Sequence, residues 1–383
     1  MSNKYILNKV TSNCEKTKIC LVVWTLKGMG GSEHVVYEIV RKINKAKYTP
    51  IVVSFDDGPV RSMYEELGVK VYTVSKMKKF DYHFLYKLRR ILISENIKIV
   101  NAHHIGPFIN TFFAISFTDI KLLVTEHSVW QLEELSKFKK YFIKILLLKT
   151  NGFIAVSKQI HKYLIDNKYL IKDKIFVLPN GIDLKKFKKM DKISIRKKLG
   201  FDVNLKIIGI VANIRQEKNH KMLISAFSRL SKEDERLRLV IVGLDFMNGE
   251  IQRYAEDKCV SSKIYFMGER DDVPELLNTF DVLCLPSYYE GLPLSLLEAM
   301  ASEVPIIAAN VIGINEIITN YKNGILFPVN NEEEFIKLFN IILCDNNLKK
   351  KITIQGLEYV KRNHDLDLMI NNYEKLIKII CNC

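Results

Sequence analysis

Short runs of β-branched and aliphatic residues alternate with longer stretches of helical periodicity along this whole 383-residue chain, and few folds accommodate that rhythm. Strands separated by helix-length segments read as βαβ crossovers, which build a parallel sheet with helices on both faces. The runs fall at 19–23, 51–54, 69–74, 97–100, 122–125, 153–156 and 175–177, then at 206–211, 237–242, 264–266, 282–285, 305–308 and 324–327. At roughly 150 residues per domain, the length calls for two cores. The break is expected at Leu178-Pro179-Asn180-Gly181-Ile182-Asp183, a cluster of turn residues that a Lys-rich stretch follows. The prediction is an α/β chain of two doubly wound, Rossmann-like domains facing across a cleft. Their bounds are 1–184 and 185–364, and a last helix follows over 365–383.

Composition narrows the setting. An apolar fraction of 48% with only 9 Pro and 17 Gly belongs to a folded chain. No stretch approaches the roughly 18 uncharged apolar residues of a membrane span, and the first 18 residues lack the apolar core of a secretory signal, so a cytoplasmic protein is expected. The seven cysteines, Cys14, Cys20, Cys259, Cys284, Cys344, Cys381 and Cys383, form no paired C-x-x-C spacing and read as reduced thiols. The Cys-Asn-Cys end does not match a prenylation signal.

Charge is divided unevenly. Residues 1–190 carry 33 cationic and 16 anionic side chains and residues 191–383 carry 25 and 27, which is +17 against −2. Codon bias acts on both halves, so the asymmetry points to an anionic partner of the first. No aromatic-and-basic recognition motif accompanies the charge, which argues against nucleic acid. Over 135–150, Leu135, Phe138, Phe142, Ile145 and Leu146 recur at helical spacing with Lys137, Lys140 and Lys144 on another face. An amphipathic helix is expected there, buried on its apolar side, with lysines available to an anionic membrane surface.

In open α/β sheets ligands bind beyond the carboxyl ends of the strands, so the chemistry belongs to strand-to-helix loops. The first such loop, Lys27 to Glu33, contains Gly28, Gly30 and Gly31 before a helix expected near Ser32, a place where backbone N–H groups can meet a phosphate. Its spacing is not the dinucleotide fingerprint. Thr125-Glu126-His127-Ser128 leaves His127 at a strand end, suited to bind a hydroxyl or steady a developing charge, and His103-His104 follows another strand. In the second half, Ala212-Asn213-Ile214-Arg215-Gln216-Glu217-Lys218 sets two cations where they would neutralise a diphosphate. The strongest signal is Ser287 to Met300: Gly291 and Pro293 make a turn and a helix start, the amides of Leu294 and Ser295 face an anion, and Glu290 and Glu298 flank them. A carboxylate buried in that helix needs donors, which sugar hydroxyls supply.

In order and spacing these segments resemble the retaining glycosyltransferases of group 1, or family 4, which have the two-Rossmann GT-B fold. Gly30-Gly31-Ser32-Glu33, Thr125-Glu126-His127, Leu178 to Asp183, Ile214 to Asn219, Phe266 to Val273 and the pair Glu290 and Glu298 carry the match over nearly the whole chain. The resemblance implies an acceptor-binding first domain, a nucleotide-sugar-binding second domain and a final helix, 365–383, that crosses back to pack on the first. It puts Gly30 and Gly31 near the donor phosphate or the acceptor, His127 beside the transferred sugar, Lys218 on the diphosphate, Glu290 on the donor sugar and Glu298 on the ribose. Backbone near Arg270 would meet the base. Where many members read Gly-Arg-Leu, this chain has Ala212-Asn213-Ile214, so Arg215 is expected to supply the charge missing at Asn213.

The implied reaction moves a hexose-type sugar, on uridine diphosphate as is commonest in the family, to a saccharide or lipid-linked saccharide of capsule, exopolysaccharide or lipopolysaccharide synthesis. No metal or other cofactor is expected: Asp365-Leu366-Asp367 reads as a helix cap, and cations with helix amides take the place of a divalent ion. Two other readings fit the same fold: a nucleotide-sugar epimerase, disfavoured by the charge asymmetry and the two glutamates, and a non-catalytic accessory subunit of a transferase complex.

Overall fold

The computed structural model describes residues 16–75, 81–128, 130–170 and 172–381. Cys14 and Cys383 lie outside them, and the other five cysteines form no disulfide. Among the described residues the strands form two wholly parallel sheets. The first contains β1 (Thr17–Val23), β2 (Tyr48–Ser54), β3 (Lys70–Thr73), β4 (Ile99–His103), β5 (Lys121–Glu126), β6 (Gly152–Ala155) and β7 (Ile175–Val177), ordered β3-β2-β1-β4-β5-β6-β7. The second contains β8 (Lys206–Val211), β9 (Leu237–Val242), β10 (Ile264–Gly268), β11 (Val282–Leu285), β12 (Ile306–Ala309) and β13 (Ile325–Phe327), ordered β10-β9-β8-β11-β12-β13. Each run read from the sequence overlaps one of these strands. Helices cover both faces, which is why strands such as β4 and β11 are buried at every position rather than alternately.

The sheet order places the chemistry. In each sheet the winding reverses beside its first strand, between β1 and β4 and between β8 and β11. A ligand crevice opens at such reversals because the flanking loops diverge to opposite faces. The loops that leave those strands carry Gly28 to Gly31, His103-His104, Asn213 to Lys218 and Ser287 to Leu294.

The chain runs between the sheets twice, and the crossings lie side by side: Ile182 N–H donates to the His364 carbonyl (2.7 Å) and Leu366 N–H to the Ile182 carbonyl (3.1 Å). Asp365 caps the last helix, Leu366–Cys381, by accepting from Asp367 N–H at 2.7 Å. That helix buries Met369, Ile370, Tyr373, Leu376 and Ile377 in the core it shares with Val36, Ile39 and Val40 of helix Gly31–Lys42. Asn101 of β4 donates to the buried Tyr373 hydroxyl at 3.1 Å.

One helix faces otherwise than its sequence suggests. Helix Lys137–Leu148 buries Ile143, Leu146 and Leu147, while Phe138, Tyr141, Ile145 and Leu148 are exposed. The stripe expected through Phe138, Phe142 and Ile145 is displaced because aliphatic residues fill both flanks of this helix, and packing against the sheet selects the flank ending in Leu146-Leu147. Its exposed aromatics therefore share the solvent side with exposed Lys137 and Lys139.

Candidate active site

The two halves meet where a missing side chain lets them. Gly291 follows Glu290 in the loop after β11, and a Cβ there would lie 1.8 Å from the carbonyl oxygen of His127, so only glycine allows this approach. The glycine loop of the first half reaches across as well: Met29 N–H donates to Glu269 Oε1 at 3.1 Å, and the Gly31 Cα side faces the Leu294 side chain.

Glu290 sits at this seam with its side chain 7% exposed. Lys218 Nζ donates to both carboxylate oxygens, at 2.7 and 2.8 Å, and Ser287 Oγ donates to Oε1 at 2.6 Å. Tyr288 N–H donates to the Glu217 carbonyl at 2.9 Å, tying the loop of Lys218 to that of Glu290. Next along the chain, helix Leu294–Ala301 starts behind Pro293 with no side chain capping its amides, leaving donors and a positive dipole end for an anion. One turn on, Glu298 is 8% exposed. Burial pushes its carboxyl up to about 7, and the Lys186 ammonium only partly offsets the cost.

Across the seam three histidines cluster. His127 Nε2 lies 3.0 Å from His103 Nδ1, and the two rings stack. Burial, with the neighbouring histidines, holds His127 well below its usual range, and burial brings His103 down to about 3, so both are neutral at pH 7. His104 behaves oppositely: burial works against its charge, but Glu126 and Glu33 raise its pKa. The fully buried Glu126 accepts through one oxygen from His104 Nδ1 (2.9 Å), His127 N–H (2.9 Å) and Ser128 N–H (3.3 Å), which fixes the loop that presents His127.

Comparison with known proteins gives the family. The model of Family 4 glycosyltransferases matches residues 29–186, and that of group 1 glycosyl transferases matches 191–358. The chain belongs to the group 1, family 4 glycosyltransferases. Among curated relatives, the UDP-Gal:alpha-D-GlcNAc-diphosphoundecaprenol alpha-1,3-galactosyltransferase of Escherichia coli is 27% identical over 301 residues, 74% of this chain and 77% of that one. The N-acetyl-alpha-D-glucosaminyl L-malate synthase of Bacillus anthracis is 26% identical over 330 residues, 82% and 83% of the two chains. Among solved structures, Anabaena HepE in complex with UDP and glucose superposes with a TM-score of 0.84 at 18% identity, covering 94% of this chain and 99% of its own, and shares the GT-B fold.

The structure of this glycosyltransferase brings Glu290, Lys218, Leu294, Ser295, Glu298, Gly31 and His127 to one seam. Three other residues singled out by sequence have different partners. Arg215 is exposed, its guanidinium stacked 4.0 Å from the centroid of the Phe246 ring rather than joined to the Lys218–Glu290 pair. Asn213 accepts from Leu244 N–H at 2.9 Å, bracing the loops after β8 and β9. Arg270 is paired with Asp272 at 2.8 and 2.6 Å, so its guanidinium is engaged within its own loop. The Gly30 position is crowded by its own helix, a Cβ there falling 2.6 Å from Glu33 Oε2. Ser287, Lys186 and the supporting role of Glu126 were missed. Ser287 and Glu126 are quoted within motifs, but only the fold shows which atoms they hold.

The raised Glu298 pKa has a thermodynamic consequence. Between the ordinary glutamate value near 4.5 and the folded value near 7, the folded state binds more protons than the unfolded chain, so stability falls as pH rises through that window. Glu298→Gln abolishes this fall. Denaturant unfolding of both proteins from about pH 5 to about pH 8 is expected to show wild type losing up to about 3 kcal/mol relative to the variant. Parallel profiles would contradict the burial argument.

Proposed function

We propose that this glycosyltransferase moves a hexose-type sugar from uridine diphosphate to a lipid-linked or growing saccharide, with retention at the anomeric carbon and without a metal. The observation that carries the reading is the Lys218–Glu290 pair, set between the uncapped amides of helix Leu294–Ala301 and the His127 loop. Lys218 and the helix amides receive the diphosphate, Glu290 the sugar hydroxyls, and Glu298 the ribose hydroxyls, whose donors offset the cost of its buried charge. The neutral His127 serves the sugar as a hydrogen-bond partner, not a cation. The bond from the anomeric carbon to the diphosphate oxygen breaks as the acceptor oxygen attacks the same face, and the departing oxygen takes the acceptor proton. The choice of carrier and acceptor is supported by the relative named for UDP-Gal and a diphosphoundecaprenol acceptor, and by the fold neighbour holding UDP and glucose.

A panel of nucleotide sugars tests this, following nucleoside diphosphate release in chelator for wild type and Glu290→Gln. The expected result is turnover of a UDP-hexose by wild type alone, at least about a hundredfold above the variant, and an acceptor product with the donor's anomeric configuration. Turnover that needs a divalent ion, or an inverted product, would overturn the mechanism.

The first half has a face suited to the acceptor's membrane. Helices Tyr82–Ser94, Ile105–Ala114 and Lys137–Leu148 pack in a row and expose Tyr82, Tyr86, Phe113, Phe138 and Tyr141 among lysines and arginines. Phe117, just beyond the second of them, is 103% exposed at φ +61°, an unfavourable conformation for a bulky residue. Arg89 holds that turn by donating to the Ala114 and Ser116 carbonyls at 2.9 and 2.7 Å. Aromatics with cations around them fit an anionic lipid interface, each cation contributing about 1 kcal/mol. Wild type is expected to sediment with phosphatidylglycerol-containing vesicles at low salt and the Phe117→Ser, Phe138→Ser double variant to remain in the supernatant. Equal behaviour of the two would remove this face from the account.

A further inference from the structure

We propose that the segment from Val311 to Glu316, the turn after β12 with the start of helix Ile314–Ile317, is a closure latch, and that Gln159 and Glu316 are positioning residues that set Glu290 when the two halves come together. The inference rests on reading Glu290 as part of the reaction centre.

One side of this segment grips the first half. Helix Lys158–Asp166 begins behind Ser157, whose hydroxyl accepts from Ile160 N–H at 3.2 Å. The two amides between them donate across the cleft: Lys158 N–H to Glu316 Oε1 at 2.7 Å and Gln159 N–H to Glu316 Oε2 at 3.1 Å. The Gln159 side chain returns the contact, its Oε1 accepting from Gly313 N–H at 2.7 Å and its Nε2 donating to Asn315 Oδ1 at 2.9 Å. Four hydrogen bonds thus join one helix start to one segment of the other half.

The opposite side of the segment holds Glu290. Glu290 N–H donates to the Ile312 carbonyl at 3.3 Å. Gly313, at φ +88°, presses against the same stretch: a Cβ there would lie 2.3 Å from the Glu290 carbonyl oxygen and 2.7 Å from that of Gly291. Gly291 in turn rests on the His127 carbonyl. The Glu290–Gly291 peptide is therefore clasped between His127 of the first half and Gly313 of the second, and Gln159 fixes the amide of Gly313. The Lys158 and Gln159 contacts are open to water or only part-buried, so they exchange readily with solvent when the cleft opens. Closure and the placement of Glu290 are then one event, because the segment that latches also defines where the Glu290 backbone rests.

Gln159→Met fills a similar volume without either hydrogen bond, Gln159→Glu keeps an acceptor for Gly313, and Glu316→Gln removes the charge. In the full-length protein, hydrogen–deuterium exchange over 288–293 is expected to rise severalfold in Gln159→Met and Glu316→Gln and to recover in part in Gln159→Glu. Turnover is expected to fall about tenfold in the first two, with affinity for uridine diphosphate within about twofold of wild type. Unchanged exchange over 288–293 overturns the latch, as does a loss of turnover matched by an equal loss of diphosphate affinity. If wild type turns over no donor, the transferase mechanism fails while exchange still decides the latch; if wild type and Gln159→Met are equally active, the latch alone fails.

Discussion

The contact between Gly291 and the His127 carbonyl is the constraint on which the rest of the site depends. Other contacts join the halves as well, including a core cluster with residues of both sheets, but this one sets how closely the Glu290 loop approaches the His127 loop. Only where a residue lacks a Cβ can the backbone after β11 approach the loop after β5 this closely and set Glu290 beside the His127 loop. A side chain at position 291 would separate the halves by about the width of a methyl group, and a reaction that relies on alignment loses much of its rate over such a distance.

Of the three buried carboxylates around that contact, two have partners that offset their burial. Lys218 and Ser287 satisfy Glu290, and Glu126 is met by two amides and the one histidine of the cluster whose proton is favoured. Glu298 is the exception, buried with too little compensation, and its raised pKa records the deficit. A group that is costly in the protein alone and relieved by hydroxyl donors adds its relief to binding, which is the physical basis of the ribose role proposed for Glu298.

Much of this was legible in the sequence because parallel sheets announce themselves: each strand must be apolar on both faces and bounded by helix-length segments, so all the strand runs could be read. The site loops followed from their positions after strands. What could not be read were side-chain destinations. Asn213 and Arg215 sit where a diphosphate clamp is expected, yet one braces Leu244 and the other stacks on Phe246, partners from the β9 loop that periodicity does not bring near. Helix Lys137–Leu148 has two apolar flanks, and only the sheet beneath it decides between them. The Gln159–Gly313 contact spans 154 residues between unremarkable positions, and nothing short of the assembled cleft exposes it.

In the proposed reaction the Lys218–Glu290 pair lies where the diphosphate and sugar meet. The most direct measurement is a crystal structure with uridine diphosphate-hexose bound. The diphosphate is expected at the Leu294 and Ser295 amides, the ribose hydroxyls on Glu298, and Lys218 turned from Glu290 toward phosphate oxygen while Glu290 accepts from the sugar. A nucleotide bound elsewhere, or one bound in this cleft with Lys218 still on Glu290 and the ribose away from Glu298, would contradict it.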